Sequence, residues 1–413
     1  MNRQSTKLKR LVRLKIRRKT WMDIHLWLGL ILGFFLAIFG LTGSILVFHA
    51  EINELLHPEM LTVAPPAGNP VYQTINSLVA AADAAMPKEA KKTFATYPRN
   101  YEAAFKFSYS LPVSKDVTED WQVYVNPYNG QVTGKMLMSV SDNPIPKTFI
   151  YIVFELHYAL FLGEDPGYLI VSAMSAFLLI SVLSGLILWW PLTGQWLKAV
   201  TIKRKASAER FNFDLHKTFG LYTAIVLIPV LFSGIYMDAP QHIVPVLEVF
   251  SPVTYRYWFK STHVAGKQSI TLADAVNIAA QHYPEGREDW LYIPSKADGT
   301  YTVCKDGVPD AGSLLHRRCV TIDQYSGKVL DVDDPSIGTA GEVFTHWQWS
   351  LHSGQAFGWT GRILVFLSGL ACPVLFVTGI NRWLQKRKVK RAKTLFPQDK
   401  SSSRLCSTDS GHG

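Results

Sequence analysis

Four runs of this chain, 24–48, 168–190, 218–237 and 363–381, contain no Asp, Glu, Lys or Arg. About 20 consecutive apolar residues wound as a helix span the hydrocarbon core of a bilayer. No water reaches the backbone there, so each run has to satisfy its own amides as a helix. A bundle of four transmembrane helices follows. The first run is longer than the roughly 7–15 apolar residues of a signal peptide, and no small-x-small cleavage site comes after it. By length alone, 413 residues would allow two or three soluble domains; the clustering of apolar residues excludes that.

The net charge of +10 is concentrated at the helix ends. Residues 1–20 carry nine Lys/Arg and no acid, 191–213 carry five against Glu209, and the chain from Arg382 onward carries nine against Asp399 and Asp409. Basic clusters beside apolar helices mark the cytoplasmic side and favour anionic lipid heads, so the partner they indicate is membrane lipid and no nucleic acid. Both termini and the middle loop are therefore expected in the cytoplasm, with 50–150 and 239–345 outside. Cys304 and Cys319 fall in the second external segment, where an oxidising compartment would allow them to pair across a hairpin. Cys372 and Cys406 are expected to remain thiols.

Between the runs the pattern changes period. TINSLVAAADAAMP (74–87) is helical in its spacing. KKTFATYP, EAAFKFSYSL and WQVYVNPYNGQVTG alternate apolar and polar residues, predicting antiparallel strands with a hairpin at Asn129-Gly130. The second half returns to the same order. TLADAVNIAAQHYP (271–284) matches 74–87, and RRCVTIDQYSGKVLD (317–331) matches the strand–turn–strand. The expected fold is a membrane α-helical bundle of four transmembrane helices with two small external α+β modules, arranged as a tandem pseudo-two-fold repeat. Its parts are a basic cytoplasmic arm (1–20), a first helix (21–49), a first module (50–149), and an interfacial helix with a second transmembrane helix (150–190). A cytoplasmic loop (191–210), a third helix (211–238), a second module (239–345), an interfacial segment with a fourth helix (346–382) and a cytoplasmic tail (383–413) follow.

Histidines sit at matching places in the two halves. DIHLWLG (23–29) opens the first apolar run and DLHKTFG (214–220) the third, each with a glycine four residues after the histidine. Because i and i+4 share a helix face, Gly29 and Gly220 are expected to leave a flat space beside His25 and His216. His-x5-Gly likewise occurs at His157/Gly163 and His352/Gly358. An ionisable residue buried in a membrane is costly and marks function by default. Two copies with the same orientation are related by an axis along the membrane normal, which sets His25 against His216 and His157 against His352. Two opposed imidazoles suit axial ligation of a haem iron, which with both positions filled carries electrons. No Cys or carboxylate joins these histidines at the spacing of a zinc site. Each apolar helix also carries a Ser/Thr-Gly pair, at Thr42-Gly43, Ser184-Gly185, Ser233-Gly234 and Thr378-Gly379, which small side chains suit to close helix approach. His346, Trp347, Trp349 and Glu155 form a candidate external substrate pocket. The plainer readings are that the tryptophans are interfacial belting, and that His49, His57, His242, His263, His282, His316 and His412 are interfacial or surface residues.

DIHLWLG, LHYALFLG, SGLILWWP, DLHKTFG and HWQWSLHSGQAFG together resemble the PepSY-associated transmembrane helix family, and within it the inner-membrane siderophore-iron reductases of the ferrioxamine type. The resemblance runs from about Trp21 to Trp383. It implies PepSY modules in the periplasm of a Gram-negative bacterium, two b-type haems held by His25, His216, His157 and His352, and reduction of a ferric siderophore to release Fe(II). No dinucleotide-binding glycine fingerprint occurs, so a flavoprotein or quinol would supply the electrons. Three other readings stay open at this level: a non-enzymatic PepSY sensor or regulator, a siderophore or metal permease, and a haem conduit serving another periplasmic acceptor. Pro229 and Pro373 are the only hints of the broken helices of a permease.

Overall fold

The structure is a computed structural model that describes residues 3–68, 70–191, 194–262, 266–309, 314–315 and 317–395. Cys406, His263, His316 and His412 lie outside the described residues. In chain order the helices are α1 (Arg3–Val47), α2 (His49–Leu56), α3 (Pro58–Leu61), α4 (Ile75–Ala84), α5 (Phe149–Tyr158) and α6 (Glu164–Trp189). Then come α7 (Trp196–Val200), α8 (Ala208–Asp238), α9 (Pro240–Glu248), α10 (Leu272–His282), α11 (Ala340–His352) and α12 (Gly358–Leu395). The strands are β1 (Lys91–Thr96), β2 (Phe105–Pro112), β3 (Thr118–Val125), β4 (Val132–Val140), β5 (Arg287–Tyr292), β6 (Thr300–Asp306), β7 (Arg318–Asp323) and β8 (Val329–Asp333). Among the described residues four helical stretches are long and apolar enough to cross a membrane: Arg17–Val47, Asp165–Trp189, Ala208–Asp238 and Gln355–Arg391. They correspond to the four charge-free runs. The basic arm expected at 1–20 is helical from Arg3, where α1 begins.

The chain divides into two compact units. One comprises Met1–Gly40, Leu178–Val226 and Leu370–Gly413, and the elements among its described residues are helices. The other comprises Leu41–Phe177 and Leu227–Gly369 and contains all the strands.

In the second unit the strands form one eight-stranded antiparallel sheet in the order β4-β3-β2-β1-β5-β6-β7-β8. Two modules were expected; they are joined at β1 and β5, where Phe94, Ala95 and Thr96 pair with Tyr292, Leu291 and Trp290. Alternation along each strand explains why. Ala95, Phe105, Phe107, Leu291 and Val303 are fully buried on one face, where Leu78 and Ala82 of α4 and Ala275 and Ala279 of α10 complete a single core. Burying a large apolar side chain is worth about 1.5–3 kcal/mol, so a shared core holds both halves more firmly than either alone. The helices over it are capped by sequence: Thr74 accepts from Ser77 N–H, and Thr271 forms a capping box with Asp274.

The hairpin expected at Asn129-Gly130 spans residues 126–131, with Gly130 N–H bonded to the Asn126 carbonyl and Gly130 at φ 73°. Asp323 takes the place of Asn126 in the β7–β8 hairpin, where Gly327 is at φ 71°. Although burial works against its charge, the Asp323 carboxylate accepts from the N–H groups of Ser326, Thr262 and Tyr325 and from the Ser326 hydroxyl, which hold its pKa down to about 2. A carboxyl held below its unfolded value of roughly 3.9 stabilises the fold fully above that pH and ceases to do so as pH falls through 2; the contribution is about 2 kcal/mol. Thermal melts should therefore lose stability between pH 4 and pH 2, and Asp323→Asn should flatten that loss.

Cys304 and Cys319 are directly opposed in the β6–β7 ladder and form a disulfide. Spacing alone left that pairing open; strand register decides it. Cys372 is buried and belongs to no disulfide.

Candidate functional site

In the helical unit, α1 and α8 bring His25 and His216 together with ring centroids 6.1 Å apart and planes at 73°. In the other unit, α5 and α11 bring His157 and His352 together at the same 6.1 Å, with planes at 71°. Each histidine thus meets the partner expected from the sequence. Two imidazoles sharing one ion, with metal–nitrogen bonds of about 2.0 Å and about 1.1 Å from nitrogen to ring centre, hold their centroids roughly 6.2 Å apart. Both pairs have the separation that a shared metal requires.

Each ring is fixed from a neighbouring helix. His25 Nδ1 lies 2.9 Å from the Ser181 carbonyl and 3.3 Å from the Ser184 hydroxyl. A carbonyl only accepts, so Nδ1 carries the proton and Nε2 keeps its lone pair. The Ser184 hydroxyl already donates to the Ser181 carbonyl at 2.7 Å, which leaves it an acceptor as well. His352 repeats the arrangement, with Nδ1 3.0 Å from the Val230 carbonyl and 3.1 Å from the Ser233 hydroxyl, which itself donates to Val230. His216 Nδ1 lies 2.9 Å from the Thr378 hydroxyl, whose proton is directed to the Val374 carbonyl at 2.6 Å. His157 Nδ1 lies 2.8 Å from the Thr42 hydroxyl. Hydrogen bonds of this kind orient metal-ligating histidines and raise their basicity.

The glycines next to these hydroxyls make the room. A Cβ built on Gly185 would lie 3.0 Å from His25 Cε1; on Gly43, 3.1 Å from His157; on Gly234, 3.3 Å from His352; and on Gly379, 3.4 Å from His216. The four Ser/Thr-Gly pairs therefore each serve one histidine, the hydroxyl anchoring Nδ1 and the glycine admitting the ring. The open space that the sequence places beside Gly29 and Gly220 is present, but the glycines that the rings press against are a different set. Nothing approaches Gly29 within 4 Å, and only Leu375 approaches Gly220, at 3.8 Å. An i+4 residue stands above its own histidine on the same helix; the ring instead presses against the helix opposite.

The two opening motifs differ in support. Asp214 is 1% exposed and accepts from Arg210 Nε at 3.0 Å, Lys217 Nζ at 3.1 Å and the Lys203 N–H at 3.4 Å. Asp23, its counterpart, is half-exposed and meets Lys19 at 2.9 Å. The third helical run is thus tied to the middle loop near His216. A neighbouring bond runs from Asn212 Nδ2 to the Thr378 carbonyl at 3.0 Å. Replacing Thr378 with Val removes the acceptor for His216 Nδ1 but keeps the shape. The expected outcome is roughly tenfold weaker metal-group retention at this pair, measured as loss during dialysis against a haem acceptor.

The candidate pocket of His346, Trp347, Trp349 and Glu155 is not drawn together. His346 Nε2 is 2.6 Å from Asp333, within a cluster in which Arg256 meets Asp331, Asp333 and Glu342. Glu155 accepts from Tyr158 of its own helix at 3.0 Å. Among the described residues no hydrogen bond, ion pair or ring contact joins these four. Of the remaining histidines, His49 Nδ1 lies 2.9 Å from the Leu46 carbonyl, and its ring packs on Phe154. Among the described residues no group of three or more His, Cys, Asp or Glu is gathered as for an all-protein metal site; two-histidine sites fall below that number.

With this geometry in view, comparison with known proteins places the molecule. A family model described as the PepSY-associated TM region matches residues 22–386, and the chain belongs to that family. No curated protein matches it. The family and the four apolar helices make it a membrane protein with an antiparallel sheet module.

Proposed function

We propose that this chain is a di-haem b oxidoreductase of the bacterial inner membrane that passes electrons to a periplasmic ferric siderophore. The observation that carries the reading is the pair of histidine pairs, each with centroids 6.1 Å apart, on rings anchored through Nδ1. Imidazoles placed within membrane helices are costly to bury and mark a functional site by default. The residues fit haem on three counts: the ligand spacing, the fixed tautomer and the open space beside Gly29. His25 and His216 would hold one haem, and His157 and His352 the other. Held by two histidines, haem would supply one-electron transfer there.

The chain's own residues do the rest. Ser181, Ser184, Thr378, Thr42, Val230 and Ser233 fix the rings, so little rearrangement accompanies a change of charge between them. The basic ends of the helices orient the protein with both termini in the cytoplasm and the sheet in the periplasm. The matching order of α4–β1–β2–β3–β4 and α10–β5–β6–β7–β8 supports the tandem repeat about an axis along the membrane normal. A cytoplasmic flavoprotein or a membrane quinol is oxidised, and the ferric ion gains one electron. Fe(II) is the weaker partner for hard oxygen donors, so reduction suits release.

Stopped-flow mixing of the reduced protein with a panel of ferric siderophores tests this. Reoxidation of the protein matched by trapped Fe(II) is expected. A protein that stays reduced with every chelate would contradict the reading.

A further inference from the structure

Strand alternation puts Ala95, Phe107 and Leu291 on the helix-covered face of the sheet, so their neighbours Phe94, Thr96, Lys106, Trp290 and Tyr292 stand on the other. They lie at the junction of the two halves: Thr96 is opposite Lys106 on one side and Trp290 on the other. Phe94, Trp290 and Tyr292 form one aromatic cluster, with centroids 5.8, 5.0 and 5.2 Å apart pairwise. Tyr292 is 54% exposed, so solvent reaches this face.

One polar group here is unsatisfied and one cation is unpaired. Among the described residues no carboxylate or hydrogen-bond acceptor meets the Lys106 ammonium. The buried Thr96 hydroxyl has no hydrogen-bond partner either. The other cation nearby, Arg317, lies over Trp290 but is neutralised by Asp289 at 2.7 Å. Burial draws the Lys106 pKa down. A half-buried cation without a counter-charge leaves its attraction for an anion unspent.

We propose that Lys106, Thr96 and the Phe94–Trp290–Tyr292 cluster form a binding face for an anionic, oxygen-rich metal chelate, with Lys106 discriminating by charge. This rests on the siderophore reading above and narrows it to anionic chelates in preference to neutral or cationic ones. The ammonium meets a donor oxygen or pendant carboxylate, the Thr96 hydroxyl bonds a second oxygen, and the aromatic faces cover the apolar part of the ligand.

Gallium(III) complexes test it, because they copy the ferric charge and shape but cannot be reduced, so binding is read without electron transfer. Isothermal titration of the full-length protein in detergent would compare an anionic gallium tris-catecholate with a cationic gallium tris-hydroxamate. The anionic complex should bind more tightly to the wild type. Lys106→Gln should weaken it about tenfold while leaving the cationic complex within twofold, and Lys106→Arg should restore most of the loss. Equal affinity of wild type and Lys106→Gln for the anionic complex, with unchanged thermal stability, would overturn the inference. Trp290→Ala gives a second check and should weaken both complexes. If gallium binding follows these expectations but no Fe(II) is released from the ferric forms, the reductase reading fails and the binding face stands.

Discussion

On the proposed reading, the His25→Ala protein should purify with one haem per chain and the unaltered protein with two. The lost haem is the one that His25 shares with His216, because an ion between rings 6.1 Å apart depends on both. His216→Ala should give the same spectrum, and combining the two should remove nothing further. His157→Ala and His352→Ala should instead lose the other haem. Combining His25→Ala with His157→Ala should empty both sites. Counting haem by the pyridine haemochrome method, with circular dichroism to confirm the fold, separates these outcomes. Retention of both haems by His25→Ala would refute the pairing.

Gly185→Val should cost the same haem without touching a ligand. A Cβ there already lies 3.0 Å from His25 Cε1 and 3.4 Å from Nδ1, and valine adds two methyl groups. The imidazole has to leave the Ser181 carbonyl that fixes its tautomer. Overpacking costs about 1–3 kcal/mol, and loss of an outer hydrogen bond typically weakens metal affinity 10–100-fold. Retention should therefore fall by roughly two orders of magnitude. Gly379→Ala introduces a Cβ at 3.4 Å from His216, a distance that a small ring movement relieves, so it should be nearly neutral. Equal loss in both variants would mean that the glycines matter for helix packing in general and not for the rings.

Much of this was legible in the sequence because it depends on local pattern. Charge-free runs give helices, alternation in FKFSYSL gives β2, and the duplicated histidine motifs give the pairs. What was missed depends on distant neighbours. Gly29 was legible as open space on its own helix, but not Gly185, 160 positions from His25 in the chain, against which the ring packs. The Ser/Thr-Gly pairs were visible, but as packing points; their hydroxyls acquire a purpose only beside a histidine. The merging of two modules into one sheet rests on three residue pairs between β1 and β5, and nothing in KKTFAT or REDWLY names its partner. His346 looked like a pocket residue because of its neighbours in sequence, but a close contact from its Nε2 to Asp333 holds it.

The central claim is that two histidine pairs each hold a haem, and the haem content of the purified, full-length protein tests it most directly. The account predicts two b-type haems per chain with low-spin, bis-histidine spectra in both oxidation states. A protein that shows no Soret band as purified, and takes up no low-spin haem on reconstitution, would contradict it.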